Sequence, residues 1–299
     1  MKTKEKIIIR IKGTKAYPRL RKIKHRLKSM IKSDYSDFKI RFENEFGYKL
    51  NVENPVSFSE KIQWRKLNQL PKDIIYAECS DKYEVRKFVS KKSNCKLIPL
   101  IGVYDNIEQI DFKSLPDEYV IKTTHDSGTV FIVEKSSKED YILEIKKKLW
   151  LSMQHDYGCE SRERHYSNIQ PRIIIEKLML DKGELPSDIK IHCFHGEAKF
   201  IQVANSSHTT NDIYDTEWNE LDVVYLNKKS SIVHLKPDNL SELLSISRSL
   251  SVDFDYVRVD LYTINNDVYF GELTFAPNRG YAKIIPSEFD IEWGKYWKI

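Results

Sequence analysis

Two acidic residues lie within apolar segments near the end of the chain, Asp260 in Tyr256–Ile264 and Glu272 in 268–275. β-Branched and aromatic residues fill both segments and an Asn-Asn-Asp sequence separates them, which predicts a β-hairpin. Burying an unpaired carboxylate is costly, so each acid should have a partner. In a hairpin both acids can share one face and bind one or two hard cations, with Mg²⁺ as the natural choice. A surface hairpin with salt-bridged acids explains the spacing equally well.

Arg258 precedes Asp260 by two residues and therefore projects from the same face of the predicted strand. A guanidinium at this position could bind a phosphate or stabilise a developing oxyanion. The hairpin thus combines residue types that suit phosphate or acyl-group chemistry.

Residues 119–133 hold a second group of polar residues, in which two β-rich arms are joined by a Thr-His-Asp-Ser-Gly-Thr turn. Lys122 lies in the first arm among apolar residues, where an ammonium needs an anionic partner. Ser127, Gly128 and Thr129 offer backbone N–H groups and hydroxyls that could close over a phosphate. Many hairpins have such a turn, so it gains weight only together with the distant acids. The glycine patterns of Walker loops and Rossmann folds are both absent from the sequence.

The pattern Arg258-x-Asp260, then Glu272-x-Thr274 and a Pro-x-x-Gly tail, resembles the metal-binding end of ATP-grasp enzymes, R-x-D…E-x-N. The segments GELTFAP, NPVSFSEKIQW, SDKYEVRKFV and D-x-K-x-x-C-F-x-G look more narrowly like the TupA-like ATP-grasp family of bacterial cell-surface polysaccharide gene clusters. One departure is Thr274, which stands where the ATP-grasp pattern has Asn. Asn278 lies four residues farther on and is the alternative third metal ligand.

The resemblance implies an α+β ATP-grasp fold in which two sheets sandwich the nucleotide, next to a mostly helical N-terminal region. It implies ATP and Mg²⁺ as cofactors and a set of site residues. Lys190 could touch the nucleotide or its γ-phosphate, or form a cross-strand ion pair with Asp188. Arg258, Lys122 and Lys190 would be catalytic, and Asp260, Glu272 and Thr274 would bind the metal. The nucleotide would contact Lys82, Lys122, His125, Ser127, Gly128, Thr129, Glu176, Lys177, Leu178, Asp188 and Lys190.

The chemistry that the resemblance implies is activation of a carboxylate by ATP to an acyl phosphate, which an amine then attacks to give an amide. The expected substrates are an amino acid or another amine and a uronic acid of a cell-surface polysaccharide or its precursor. Two alternatives stay open. One is a glycosyltransferase of the same pathway, and the other is a non-catalytic ATP-binding assembly factor at the membrane.

Composition describes a globular protein with an unusual N-terminus. A chain of 299 residues with 40% hydrophobic content can bury a sizeable core and suggests two lobes. Its four cysteines include no C-x-x-C pair, which favours reduced thiols in the cytoplasm. Residues 1–32 carry 13 Lys and Arg and only one acid, so the net charge of +5 originates there.

The basic segment has apolar residues at helical spacing, which suits a helix lying on an anionic membrane. A solvated tail or a helix packed on its own domain explains it equally well. We do not expect nucleic acid as a partner, because no aromatic stacking pattern accompanies the charge. No apolar segment is long enough for a transmembrane helix, so we expect a cytoplasmic protein, with peripheral contact at the inner face of the membrane as the open extension.

We therefore divide the chain into four parts: a basic amphipathic segment at 1–35, a helical region at 36–110, a small lobe at 111–180, and a large lobe with the metal site at 181–299.

Overall fold

The computed structural model describes residues 33–205 and 209–299. The basic segment 1–32, with its predicted helix and membrane contact, lies outside the described residues. In the part described, no helix is both long enough and apolar enough to cross a membrane.

The described residues form strands and helices in a mixed order, which confirms the α+β class. The strands are β1 (Lys96–Leu97), β2 (Leu100–Tyr104), β3 (Tyr119–Thr123), β4 (Val130–Val133), β5 (Ile173–Lys177), β6 (Asp188–Phe194), β7 (Glu197–Ala204), β8 (Asn211–Tyr214), β9 (Glu220–Leu221), β10 (Val224–Tyr225), β11 (Tyr256–Ile264), β12 (Asp267–Thr274) and β13 (Ile284–Ile285). The helices are α1 (Asp34–Phe46), α2 (Phe58–Asn68), α3 (Ile74–Ser80), α4 (Val85–Lys92), α5 (Glu139–Met153), α6 (Tyr157–Ser161), α7 (Leu240–Ser251) and α8 (Glu288–Tyr296).

The larger of the two main sheets has seven strands in the order β1-β12-β11-β6-β7-β8-β9. Strand β11, third in this order, is almost wholly buried, as the run of apolar and β-branched residues in its sequence predicts. The amphipathic helix α7 packs on this sheet through Leu243, Ile246 and Leu250, which recur at helical spacing and are buried. On the opposite face, aromatic residues of α2 and the C-terminal segment cover Tyr256, and the polar side chains of Arg258 and Asp260 follow on the same strand.

The smaller sheet has four strands in the order β2-β5-β3-β4. Helix α5 covers it, and Ile145 and Leu149 of the helix join Ile121, Ile173 and Ile175 of the sheet in one buried cluster. Strand β2 precedes residue 110, so the predicted boundary between the helical region and the small lobe separates this strand from its sheet. The other division points stay predictions.

Helix α2 ties the N-terminal helices to the large sheet. Ser57 caps its N-terminus: the Ser57 hydroxyl accepts a hydrogen bond from the Glu60 N–H, and the Glu60 side chain accepts one from the Ser57 N–H, which together form a capping box. Arg65 on the same helix is wholly buried and ion-paired with Asp255, which immediately precedes β11. The Trp297 indole N–H also donates to Asp255, at 3.0 Å, so the chain after the C-terminal helix α8 is anchored at this pair.

The segment after α5 differs from the sequence-based expectation. Residues 157–168 are polar and rich in arginine, a composition that predicts a mobile loop, whereas they form α6 and a 3-10 turn, and Arg162 is only 4% exposed. The reason is a long-range contact: Arg162 and Arg164 both bind Asp34 at the start of α1. His165 is buried too, and burial lowers its pKa to about 3, so the ring is neutral. These three side chains are therefore structural.

Candidate active site

Strands β11 and β12 form the predicted hairpin and align the polar residues across it. Asp260 is paired with Glu272, and Arg258 with Thr274. Because both pairs stand two residues apart on each strand, all four side chains share one face of the sheet. The prediction that the two carboxylates meet on one face is confirmed.

Asp260 is at the centre of a buried ion network. The Arg258 guanidinium grips its carboxylate at both oxygens, with Nε 2.7 Å from Oδ1 and a terminal nitrogen 2.6 Å from Oδ2. Lys190, opposite Asp260 on β6, donates to Oδ2 at 3.0 Å and also binds Asp188 at 2.8 Å. Burial alone would lower the pKa of Lys190, but Asp260 and Asp188 raise it above the ordinary value. The ion pair expected between Lys190 and Asp188 is present, but both residues lie on β6, so the pair does not connect two strands.

Glu272 is far more exposed than Asp260: the exposed fraction of its side chain is 51%, compared with 2% for Asp260. Its Oε1 accepts hydrogen bonds from the Thr274 hydroxyl at 2.7 Å and from Arg258 at 3.1 Å. Its Oε2 has no hydrogen-bond partner among the residues described. Glu272 therefore offers an oxygen to a ligand, while the oxygens of Asp260 are already bound by cations.

The donor set suits a hard cation. Asp260, Glu272 and Thr274 carry only oxygen donors, which Mg²⁺ prefers. Arg258 and Lys190 already bind both oxygens of Asp260, so the open oxygen of the set is Oε2 of Glu272. Within 33–205 and 209–299, no cluster of three or more His, Cys, Asp or Glu side chains could hold a metal ion. Mg²⁺ would therefore have to complete its shell with water and phosphate oxygens, as it commonly does. On this reasoning the residues fit Mg²⁺ as a partner of a bound nucleotide rather than as a closed structural site.

A cleft of about 640 Å³ opens in front of Glu272. The hairpin of the large sheet lines it on one side, and the turn between β3 and β4 of the small sheet lines it on the other. Six of the predicted site residues border this cleft. They are Lys82, Ser127, Gly128, Arg258, Glu272 and Thr274.

The turn between β3 and β4 is organised by Asp126, a residue that sequence reasoning missed. Its carboxylate accepts hydrogen bonds of 2.5 Å from the hydroxyls of Thr123, Thr129 and Ser152. The Thr129 hydroxyl is thus held by the protein, while Gly128, with φ of +97°, lets the turn pass close to the cleft. The sequence signal that could have identified Asp126 is its place as an acid among hydroxyl-bearing residues in the turn.

His125 and Lys82 support the same turn. The His125 ring is buried against the Ser152 carbonyl at 3.2 Å, and burial lowers its pKa, so it stays neutral. The Lys82 ammonium donates to the Asp126 carbonyl oxygen. Burial lowers the pKa of Lys82, and nearby Asp126 and Glu272 oppose that shift. A cation at this position sits between the turn and the exposed acid.

Lys122 has the anionic partner that its apolar surroundings required, because its ammonium lies 2.6 Å from Glu176 on the neighbouring strand. Arg86 binds the other oxygen of Glu176 at 3.3 Å. Glu176 is buried, whereas Lys177 is exposed and donates its backbone N–H to the Pro99 carbonyl. The partly buried Leu178 follows directly after β5. Arg86 was not predicted, since only the packing of α4 on this sheet brings it to Glu176.

The far end of the cleft contains residues that the motifs did not indicate. Glu163 lines it beside Arg279, with 3.6 Å between the Arg279 Nε and the Glu163 Oε2. Arg279 also donates to the Tyr157 hydroxyl at 3.2 Å. Asn278, the alternative metal ligand, lines the same cleft from a turn in which it and Arg279 have positive φ. Nothing local in the sequence relates residues 157–163 to 278–279.

Comparison with known proteins gives a family match and several similar folds. A sequence model of the family described as TupA-like ATPgrasp matches residues 60–298. No curated protein matches the sequence.

Two solved structures illustrate the fold similarity. The D-alanine–D-alanine ligase from Bacillus anthracis complexed with ATP is 15% identical, with a TM-score of 0.41 over 67% of this chain and 55% of that chain. The L-amino acid ligase from Bacillus licheniformis is 13% identical, with a TM-score of 0.47 over 85% of this chain and 57% of that chain. The chain thus spans little more than half the length of these ligases.

Proposed function

Because the chain belongs to the TupA-like ATP-grasp family, we propose that it is an ATP-dependent carboxylate–amine ligase that forms an amide through an acyl phosphate. The observation that carries the proposal is the cleft between the two sheets. There the turn at Ser127 and Gly128 faces Arg258 and Glu272 across a volume of about 640 Å³. A site with cations and turn N–H groups on one side and carboxylates on the other suits the phosphates of a nucleoside triphosphate.

In the first step, the substrate carboxylate attacks the γ-phosphorus of ATP and ADP leaves. Lys82 neutralises phosphate oxygens beside the turn. Lys122 and Lys190 would add positive charge behind the cleft while they stay paired with Glu176 and with Asp188 and Asp260. Asp260, Glu272 and Thr274 would hold Mg²⁺, which when bound supplies charge neutralisation to the phosphate oxygens. The N–H groups of Ser127 and Gly128 orient the phosphates from the opposite side.

The second step is attack of the amine on the acyl carbon, and it concerns Arg258. The guanidinium is rigid because Asp260 holds two of its nitrogens, and it lines the cleft. A preorganised donor of this kind stabilises the negative oxygen of a tetrahedral intermediate. We therefore assign oxyanion stabilisation to Arg258.

The nucleoside would lie toward the small sheet. We propose that Glu176 contacts the exocyclic amine or the ribose, and that the backbone at Lys177 and Leu178 meets the adenine. His125 and Thr129 would act by shaping the phosphate turn, since their polar groups bind Ser152 and Asp126. Asp188 would act through Lys190.

For the substrates, we propose an amino acid or another amine and a uronic acid of a cell-surface polysaccharide or its precursor. The support is the resemblance of the motifs to a family found in such gene clusters. A location in the cytoplasm, with the basic segment 1–32 against an anionic membrane face, fits substrates that are assembled on membrane lipids.

Mass spectrometry tests the reaction directly. The full chain is incubated with ATP, Mg²⁺, D-glucuronic or D-galacturonic acid and a pool of amino acids. A product heavier by one amine and lighter by one water, formed together with ADP and phosphate, is the expected result. ATP binding with no covalent product from any mixture would overturn the ligase proposal and favour the assembly-factor alternative.

The glycosyltransferase alternative has little support in the structure. Asp253 and Asp255 have the D-x-D spacing that such enzymes use to hold a metal and a nucleotide sugar. Asp255, however, is bound by Arg65, Gln69 and Trp297, and Asp253 is paired with Lys92 at 2.6 Å. Transfer of a sugar from a nucleotide sugar without ATP would support the glycosyltransferase alternative.

A further inference from the structure

Three carboxylates line the cleft within the described residues, and they differ in what already binds them. Asp126 is saturated by three hydroxyls, and Glu272 faces the proposed phosphate site. The third is Glu163, whose side chain is 9% exposed and lies at the end of the cleft near Arg279. Its nearest cation, Arg279, is 3.6 Å away, which is longer than a hydrogen bond.

The backbone around Glu163 is held firmly. The flanking residues Arg162 and Arg164 both bind Asp34, and the Glu163 N–H donates to the Ser161 hydroxyl at 3.2 Å. The carboxylate is thereby presented to the cleft from a fixed support. A side chain that acts on a bound substrate must be held in position, and this support does so.

The charged groups around Glu163 come from several elements. Lys66 on α2 is 1% exposed, and its ammonium is occupied by the Gln63 side chain at 3.1 Å and the Arg279 carbonyl at 3.0 Å. Tyr157 and Tyr166 face Glu163 from α6 and the following turn, and Glu272 faces it from β12. Burial and Glu272 raise the pKa of the Glu163 carboxyl above the usual range, against the opposing effect of Lys66 and Arg279.

Amide formation needs a proton acceptor. An aliphatic amine is an ammonium ion at neutral pH, and its nitrogen has no lone pair until one proton leaves. A carboxylate poised near the working pH in the same cavity is suited to take that proton. Neither Asp126 nor Glu272 is free for this role.

We propose that Glu163 binds the ammonium of the amine substrate and accepts the proton that it loses before attack. This proposal rests on the ligase function proposed above. The freed nitrogen pair forms the C–N bond to the acyl carbon, and the C–O bond to the phosphoryl group breaks with its electron pair on the departing phosphate. The second nitrogen proton goes to that phosphate, and Glu163 returns the first to solvent. The substrate class that follows is a primary amine bound as a cation.

The test compares two nucleophiles in one variant. Hydroxylamine is largely unprotonated at neutral pH and traps an acyl phosphate as a hydroxamate without needing a base. Glu163→Gln should lower amide formation from the best amino acid donor by about 10²- to 10⁴-fold at neutral pH. Hydroxamate formation from the same uronic acid should stay within about twofold of the parent. The ratio of the two products does not depend on how much of the variant is folded.

Two further measurements sharpen the test. The amide deficit of Glu163→Gln should shrink as pH rises, because more of the amine is then unprotonated. Glu144→Gln, a matched change at an exposed pair with Lys148, should leave both products at the parent level. Two results would overturn the assignment while leaving the ligase function intact. One is an equal loss of amide and hydroxamate in Glu163→Gln, and the other is an amide deficit that does not change with pH. Failure of the parent itself to give hydroxamate from any acid tested would overturn the ligase function, and this proposal with it.

Discussion

Arg258 and Asp260 form a two-point ion pair on one strand, with 2.7 Å from Nε to Oδ1 and 2.6 Å from a terminal guanidinium nitrogen to Oδ2. The same terminal nitrogen reaches Glu272 and Thr274 on the facing strand, both at 3.1 Å. The planar fork of arginine matches this arrangement, and the point charge of lysine does not.

Arg258→Lys should therefore separate catalysis from binding. If Arg258 stabilises the oxyanion, kcat for amide formation should fall by about 10²-fold, with little change in the KM for ATP. Steady-state kinetics with saturating acceptor measures both constants. Arg248→Lys, at a surface pair with Glu197, is the matched control. A rise in KM with an unchanged kcat would assign Arg258 to ground-state phosphate binding.

Glu272→Gln should abolish phosphate release and leave the fold intact. The change preserves volume, removes the charge that a metal ion needs, and affects a side chain that is half exposed. Arg258 keeps Asp260 as its partner, so no buried cation is left unpaired. Phosphate release is measured with ATP and acceptor, and thermal unfolding checks the fold. Turnover equal to that of the exposed-site variant Glu242→Gln would show that Glu272 is structural.

Asp255→Asn should destabilise the protein by about 3–5 kcal/mol, because it leaves the buried Arg65 guanidinium without its counter-charge. Burial acts to raise the pKa of Asp255, but Arg65, Gln69 and Trp297 hold it below the ordinary value. Because the pKa of Asp255 is lower in the folded protein than in the unfolded chain, the ionised carboxylate stabilises the fold above about pH 4. This stabilisation is lost as the pH falls through the pKa of the folded state.

Urea unfolding between pH 3 and 7 measures both parts of this prediction. The difference in the free energy of unfolding between parent and Asp255→Asn should be largest at neutral pH and shrink toward pH 3. Asp253→Asn, at a partly exposed pair with Lys92, should change stability little. A difference that is constant with pH would show that the pair contributes through packing alone.

Deletion of residues 1–32 should preserve ATP turnover and weaken binding to anionic vesicles. The segment precedes the matched family region, and its excess of 12 positive charges should be attracted to anionic lipid and screened by salt. Sedimentation with vesicles containing phosphatidylglycerol, with neutral phosphatidylcholine vesicles as the control, measures the effect. Equal sedimentation of both proteins would leave the solvated-tail interpretation in place.

The sequence by itself determined that the hairpin carries Arg258 and Asp260 on one face. Side chains alternate along a strand, so Arg258 and Asp260 must share a face. The turn alone would pair Asp260 with Gly271, and a register shift between Asp260 and Leu261 places Glu272 and Thr274 opposite Asp260 and Arg258. The need of Lys122 for an anion, the Ser57 cap and the apolar face of α7 are likewise local properties. Such features follow from the order of a few neighbouring residues.

Tertiary structure alone decided which distant residues meet at the cleft. Arg86 reaches Glu176, Arg65 reaches Asp255, and Glu163 comes to lie beside Arg279, although 90, 190 and 116 positions separate these pairs in the sequence. The segment that carries Glu163 has the composition of a mobile loop, and it is ordered because Asp34 binds the arginines on either side. Long-range ion pairs of this kind depend on how helices and sheets pack, which no short pattern of residues records.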